Sequence, residues 1–262
     1  MSIPEAVATA AEGNGAQSVD RAITVLEIIA RRGEASVSEV ASEVGVHRST
    51  ISRLLGVLES RGMVELAGAR GRYRLGPNIL RLAGAMTSPL DIAHQGATIA
   101  EELATELGET VNIAVLRGDY AVNVFQAVGA GLIAVNNWVG RPTPLHATSS
   151  GKVLLAALGE ADAVAILRLG LQSFTAATVT DIGELSRQLA TARRAGFAVT
   201  CGELEVGLNA IAVPVRGADG TVIAALSVSA PDYRLPAEQL ASHAQWLAAP
   251  ADRIARLMGF RG

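Results

Sequence analysis

A chain of 262 residues is longer than one ordinary domain needs. Half of it is apolar and its net charge is −3, so two packed domains are expected and bulk disorder is excluded. The single cysteine, Cys201, excludes an intrachain disulfide and a Cys-rich zinc site and fits a reducing compartment. The N-terminus has no basic stretch followed by an apolar core, and no apolar run reaches membrane-spanning length, so the protein is expected in the cytoplasm.

Residues 1–16 read as a frayed tail. Ser18 is a good N-cap, and Val19, Ala22, Ile23, Leu26, Ile29 and Ala30 follow helical spacing until Gly33. Ser36 or Ser38 can cap a second helix, Glu39 to Val44, which Gly45 stops by turning without a Cβ penalty. A third helix begins near His47. Its Ile51, Leu54, Leu55 and Leu58 form one buried stripe, while Ser49, Ser52, Arg53 and Gly56 point the other way. Nothing bulky on that free face blocks entry into a major groove, where Arg and Ser can meet base edges or phosphate. His47, Arg48 and Thr50 cluster at the helix start, the end that approaches the duplex in such motifs. Most polar helix faces are merely solvated. The short preceding helix, the Gly45 turn and the hairpin that follows favour DNA.

That hairpin runs Met63 to Leu66, turns through Ala67-Gly68-Ala69-Arg70-Gly71 and returns over Arg72 to Leu75. Arg70, Arg72 and Arg74 load its tip and one strand face with positive charge, as a DNA-contacting wing requires. Between Ser18 and Arg81, ten Arg stand against seven Asp and Glu, so a basic module precedes an acidic remainder. The outline is a winged helix-turn-helix over 17–76. Gly76-Pro77 breaks the strand, a linker helix is expected from Asn78 to Met86, and Thr87-Ser88-Pro89 ends it, giving a linker over 77–88.

Helices then alternate with strands over 89–262. Helices are expected over Asp91–Leu107, Gly151–Leu158, Asp181–Ala195 and Pro236–Met258. Strands are expected over Val111–Leu116, Tyr120–Val128, Leu132–Val135, at Val199, over Ala210–Val215 and over Val222–Val228, with Asp219-Gly220 as a hairpin turn. The chain as a whole therefore reads as a two-domain α+β protein. No established catalytic fingerprint stands out. Ser149-Ser150-Gly151-Lys152 has the S-x-x-K spacing of some serine acyl-transferases, but no K-T-G or S-D-N element follows. The four histidines are scattered, so no metal and no cofactor is expected. The alternative to a regulator is an acyl-transfer enzyme fused to a DNA-binding module, with Ser149 or Cys201 as nucleophile.

Four stretches then resemble a known family. They are Q-S-V-D-R-A from Gln17, R-S-T-I-S-R-L-L from Arg48, L-H-A-T-S-S-G-K-V-L-L-A from Leu145, and G-L-N-A-I-A-V-P-V from Gly207 followed by L-S-V-S-A-P. In order and spacing the chain resembles the IclR family of bacterial transcriptional regulators. The resemblance implies a winged helix, a linker helix and a GAF-like effector-binding domain. It also implies a homodimer or tetramer on a palindromic operator, and control, as a repressor of a catabolic or metabolic operon, by a carboxylate or aromatic metabolite. The residues of the helix face and wing read above as contacting DNA are His47, Arg48, Ser49, Thr50, Ser52, Arg53, Arg70, Arg72 and Arg74. Those implied to line the effector pocket are Leu132, Ser149, Ser150, Thr200, Cys201, Glu203, Leu208, Ala210, Ser227 and Ser229. Thr200 and Ala210 depart from the Asp and Cys of some members, so no particular effector is implied.

Overall fold

The computed structural model describes residues 8–68, 71–84, 89–129 and 137–261. The chain divides into two compact units, Met1–Met86 and Thr87–Gly262.

The first unit runs α1 (Ala8–Arg32), β1 (Ala35–Ser36), α2 (Val37–Val44), α3 (Arg48–Ser60), β2 (Val64–Ala67), β3 (Arg72–Leu75) and α4 (Asn78–Gly84). Helix α1 begins well before Ser18, so residues 8–16 are helical rather than a tail. Alanine at four of those positions has the highest helix propensity of any residue and outweighs two glycines. The strands form an antiparallel sheet in the order β1-β3-β2, with Ala35 opposite Tyr73 and Leu66 opposite Tyr73 on the other side. The two-residue β1 carries no periodicity from which it could be read. Val25, Ile28 and Ile29 of α1 pack with Val40, Ile51, Leu55, Leu58 and Val64 as one core. Helix α4 starts on this unit, because the Asn78 amide N–H donates to Gly62 O at 3.0 Å. The expected end of that helix at residues 85–88 lies outside the described residues, and Pro89 opens the next helix rather than breaking the last.

The second unit runs α5 (Pro89–Leu107), β4 (Thr110–Arg117), β5 (Tyr120–Ala127), β6 (Pro142–Pro144), α6 (Ser149–Ala157), α7 (Glu160–Leu167), α8 (Ile182–Ala195), β7 (Ala198–Cys201), β8 (Leu208–Arg216), β9 (Val222–Pro231) and, after a 3-10 turn, α9 (Leu240–Leu257). The expected strand at 132–135 lies outside the described residues. Strands β4 to β9 form one antiparallel sheet in the order β6-β5-β4-β9-β8-β7.

Strand residues alternate faces, and here the two faces differ in chemistry. Val111, Ile113, Ile211, Val213, Leu226 and Val228 meet α5 and α9 in a branched aliphatic core. Their neighbours Ala198, Ala212 and Ala225 meet Val153 to Ala156 of α6 and Leu185 and Leu189 of α8. Small side chains on that face let α6 lie close to the sheet. Gly151 completes the approach, since a Cβ there would fall 2.4 Å from Leu145 O. Among the described residues no helix is long and apolar enough to cross a membrane.

Candidate DNA interface and effector pocket

The first unit builds a presented helix. Ser36 caps α2 reciprocally: its hydroxyl accepts from the Glu39 amide at 3.3 Å, and its own amide donates to Glu39 Oε2 at 2.7 Å. The Glu39 carboxyl is held below the usual carboxylate range, first by the Ser36 amide, then by the Ser36 hydroxyl, with Arg72 adding to it. Gly45 closes α2 in the left-handed conformation at φ 74°, which aims the chain into α3. Ile51, Leu55 and Leu58 of α3 are buried, while His47, Arg48, Ser49, Ser52, Arg53 and Gly56 are exposed and Thr50 is half-buried. His47 precedes the helix without capping it through its side chain, so the first amides remain open to an acceptor from outside. Arg48 and Arg53 make no ion pair with any described residue. The structure thus brings the sequence-predicted α3 residues to one free face.

The wing is less uniform than its sequence. Arg72 pairs with Glu34 at 2.8 Å and Glu39 at 3.2 Å, and donates to Glu34 O at 3.0 Å. It is a clamp between β3 and the start of α2, which removes it from the cations free for DNA. Arg74 pairs with Glu65 at 2.7 Å, but both are exposed, and such a pair contributes little and opens readily. Arg70 lies outside the described residues.

The second unit builds a partly open cavity of about 70 Å³ between the sheet and the start of α6. Of the expected residues, Ser149, Ser150, Thr200, Leu208, Ala210, Ser227 and Ser229 line it. The register explains the grouping, because Thr200, Ala210 and Ser229 are successive cross-strand partners and Asn112 pairs with Ser227. Thr148 caps α6, its Oγ1 accepting from the Gly151 amide at 3.1 Å, which leaves the Ser149 and Ser150 amides directed outward from the positive end of the helix. Asn112 is 7% exposed, and its Oδ1 has no partner.

Two expected lining residues are corrected. Cys201 follows Thr200 on β7, so it points to the opposite side of the strand and packs against the aliphatic core. Burial pushes its thiol up, away from a reactive thiolate. Glu203 turns from the cavity to meet Lys152 at 2.6 Å, and Leu204 takes its place in the lining. Leu132 lies outside the described residues. Sequence reasoning missed Asn112, Asn123, Trp138, Thr143, Ala147, Thr148 and Leu204. The two asparagines had a signal, since each interrupts an otherwise apolar strand, V-N-I-A-V and A-V-N-V-F. The S-x-x-K arrangement does not assemble, because Lys152 Nζ is held by Glu203 and Gln188 rather than by Ser149. No described group of His, Cys, Asp and Glu could hold a metal.

A presented helix on one unit and a small polar-lined cavity in the other are the parts of a ligand-controlled, DNA-binding transcriptional regulator. The model of the IclR helix-turn-helix domain matches residues 18–68, and that of the bacterial transcriptional regulator IclR C-terminal domain matches residues 84–256. The chain belongs to the IclR family. It is 32% identical over 249 residues to the HTH-type transcriptional repressor AllR of Klebsiella pneumoniae, covering 94% of this chain and 92% of that one. Among solved structures, the Thermotoga maritima IclR shares 27% identity at a TM-score of 0.76, covering 93% and 99% of the two chains. An IclR homolog from Microbacterium hydrocarbonoxydans, complexed with 4-hydroxybenzoate, shares 28% identity at a TM-score of 0.74, covering 92% and 98%.

Proposed function

We propose that this regulator is a repressor whose operator affinity is set by a compact carboxylate bound at the start of α6. The carrying observation is the start of α6, where the Thr148 cap leaves the Ser149 and Ser150 amides free to donate beside a cavity that also holds the buried, unpartnered Oδ1 of Asn112, an acceptor for a hydroxyl on the same ligand. Left without a ligand, a buried polar group of this kind carries its full desolvation cost. The Ser149 and Ser150 amides would hold the carboxylate, Asn112, Asn123, Thr200, Ser227 and Ser229 its other oxygens, and Leu204, Leu208, Ala210 and Trp138 its carbon skeleton.

Size supports a short acid. The cavity of about 70 Å³ is half the roughly 150 Å³ of a cavity that takes up benzene. A relative that carries 4-hydroxybenzoate favours an aromatic acid instead, which would require the cavity to widen. The repressor reading is supported by the name of the Klebsiella relative.

His47, Arg48, Ser49, Thr50, Ser52 and Arg53 would contact the operator, joined by Arg74 and Arg70 from the wing. A homodimer on a palindrome is supported by apolar side chains left at the surface of the first unit. Val19 is 61% exposed and Ile23 52% exposed, at i, i+4 on α1, and Leu80 of α4 is 76% exposed. A regulator of this kind works where the DNA is, in the cytoplasm.

The test titrates acetate, pyruvate and 4-hydroxybenzoate against the protein, following Trp138 fluorescence and operator affinity. Pyruvate is expected to bind the wild type and change its operator affinity. Asn112→Asp, which sets a second negative charge in the cavity, is expected to lose at least about tenfold in pyruvate affinity while binding the operator unchanged. If no acid alters operator affinity, the carboxylate reading fails.

A further inference from the structure

The only lysine of the chain is buried at a junction. Lys152 is 2% exposed and lies in the first turn of α6. Its Nζ donates to Glu203 Oε1 at 2.6 Å, to Glu203 Oε2 at 2.8 Å and to Gln188 Oε1 at 2.8 Å. Gln188 in turn donates to Glu184 Oε1 at 3.0 Å. The backbone carbonyl of Glu203 accepts from the Thr178 hydroxyl at 2.7 Å, which fixes the loop that carries it. Three elements therefore converge on one ammonium: α6, α8 and the β7–β8 loop.

Stability does not explain this cluster. A cation in the first turn opposes the helix dipole. Burying two charges costs about as much as their attraction returns, and a well-packed apolar pair commonly does as well or better. Burial pushes the Lys152 ammonium down, and Glu203 works against that shift. What the ion pair supplies is a fixed geometry, and the segments it joins are two walls of the cavity. Ser149 and Ser150 line the cavity just ahead of Lys152, and Leu204 lines it beside Glu203. On the other side of the pair, Lys152, Gln188, Cys201 and Glu203 border an open groove of about 690 Å³.

We infer that Lys152, Glu203 and Gln188 form a positioning strap that holds the Leu204 wall against the start of α6, separates the cavity from the groove, and so makes the site select compact acids over larger ones. This deepens the effector reading above and rests on it. None of the three touches the ligand.

The test uses the full chain with K152M and E203L combined, which leaves no charge unpaired in the interior. In hydrogen exchange without ligand, amides of residues 149–152 and 202–205 are expected to exchange together at least about tenfold faster than in the wild type, with α9 unchanged. The ratio of pyruvate to 4-hydroxybenzoate affinity is expected to fall by at least about tenfold, with operator affinity in the absence of acid unchanged. Should the double variant fail to fold, Q188M leaves the ion pair intact and is expected to accelerate the same two segments by a smaller factor. Unchanged exchange in either folded variant overturns the strap, and so does accelerated exchange with an unchanged acid ratio. If the wild type takes up neither acid, the effector reading has failed, and exchange still decides whether the strap holds the two walls.

Discussion

Arg53 and Arg72 carry the same charge in the same unit, yet replacing them should have opposite consequences. Arg53 is exposed on α3 and has no ion-pair partner among the described residues. Alanine is the better helix former, so Arg53→Ala should change unfolding free energy by no more than about 0.5 kcal/mol. If Arg53 reads a base edge, the same change should cost about 1–3 kcal/mol of operator binding, roughly 5- to 150-fold, and relax the sequence preference. Arg48, at the open start of α3, should act through phosphate. Arg48→Ala should weaken all duplexes alike and lower the salt slope by about 1 per half-site. Arg72→Met should do the reverse of Arg53→Ala. It leaves Glu34 and Glu39 without their cation, so the melting temperature falls slightly, as expected for partly exposed pairs, while the folded protein keeps its operator affinity. Anisotropy titrations on a duplex selected from genomic fragments, at several salt concentrations and beside thermal melts, read both quantities. Arg53→Ala binding as tightly and selectively as wild type would refute the reasoning. So would Arg72→Met losing operator affinity without losing stability.

Three further outcomes concern folding and pH. Ser36→Ala removes the capping box of α2 and should cost about 1 kcal/mol, seen as a fall of about 4–8 °C in the melt of the first unit. Because the Glu39 carboxyl titrates below 4.5 when folded, its contribution is present above that pH and lost as pH falls through the lowered value, so the gap between wild type and Ser36→Ala should narrow in acid. Gly151→Ala drives a Cβ to 2.5 Å from Leu145 Cα and should destabilise the second unit by about 1–3 kcal/mol in thermal unfolding. His243 is buried against Trp246 with Nδ1 unpartnered, and burial lowers its pKa from 6.5. The unfolded chain then takes up the proton first, so stability should decline below about pH 6.5 and level off beneath the folded value. His243→Gln should remove that decline in melts recorded across the range.

Much of this molecule was legible in its residues. The stripe of Ile51, Leu54, Leu55 and Leu58 and the small polar residues opposite it identified α3 and its free face, because helical spacing alone decides which side is buried. Alternation identified most strands of the large sheet. What stayed hidden depends on partners distant in sequence. Nothing near Arg72 announces that Glu34 and Glu39 neutralise it, and nothing near Glu203 announces a lysine buried on α6. Strand β6 was missed because its two prolines argue against a strand, a bias that an edge position relaxes. The misassignment of Cys201 was avoidable: it follows Thr200 in a strand, and consecutive strand residues cannot both face one cavity.

The central claim is that a ligand in the second unit and an operator on the first are thermodynamically linked. The direct measurement is a closed cycle by calorimetry and anisotropy, giving operator affinity with and without saturating pyruvate and pyruvate affinity with and without operator. Linkage predicts that the two affinities change by one common factor, about 5- to 150-fold, each ligand weakening the other. Pyruvate that binds the cavity but leaves operator affinity untouched would contradict it.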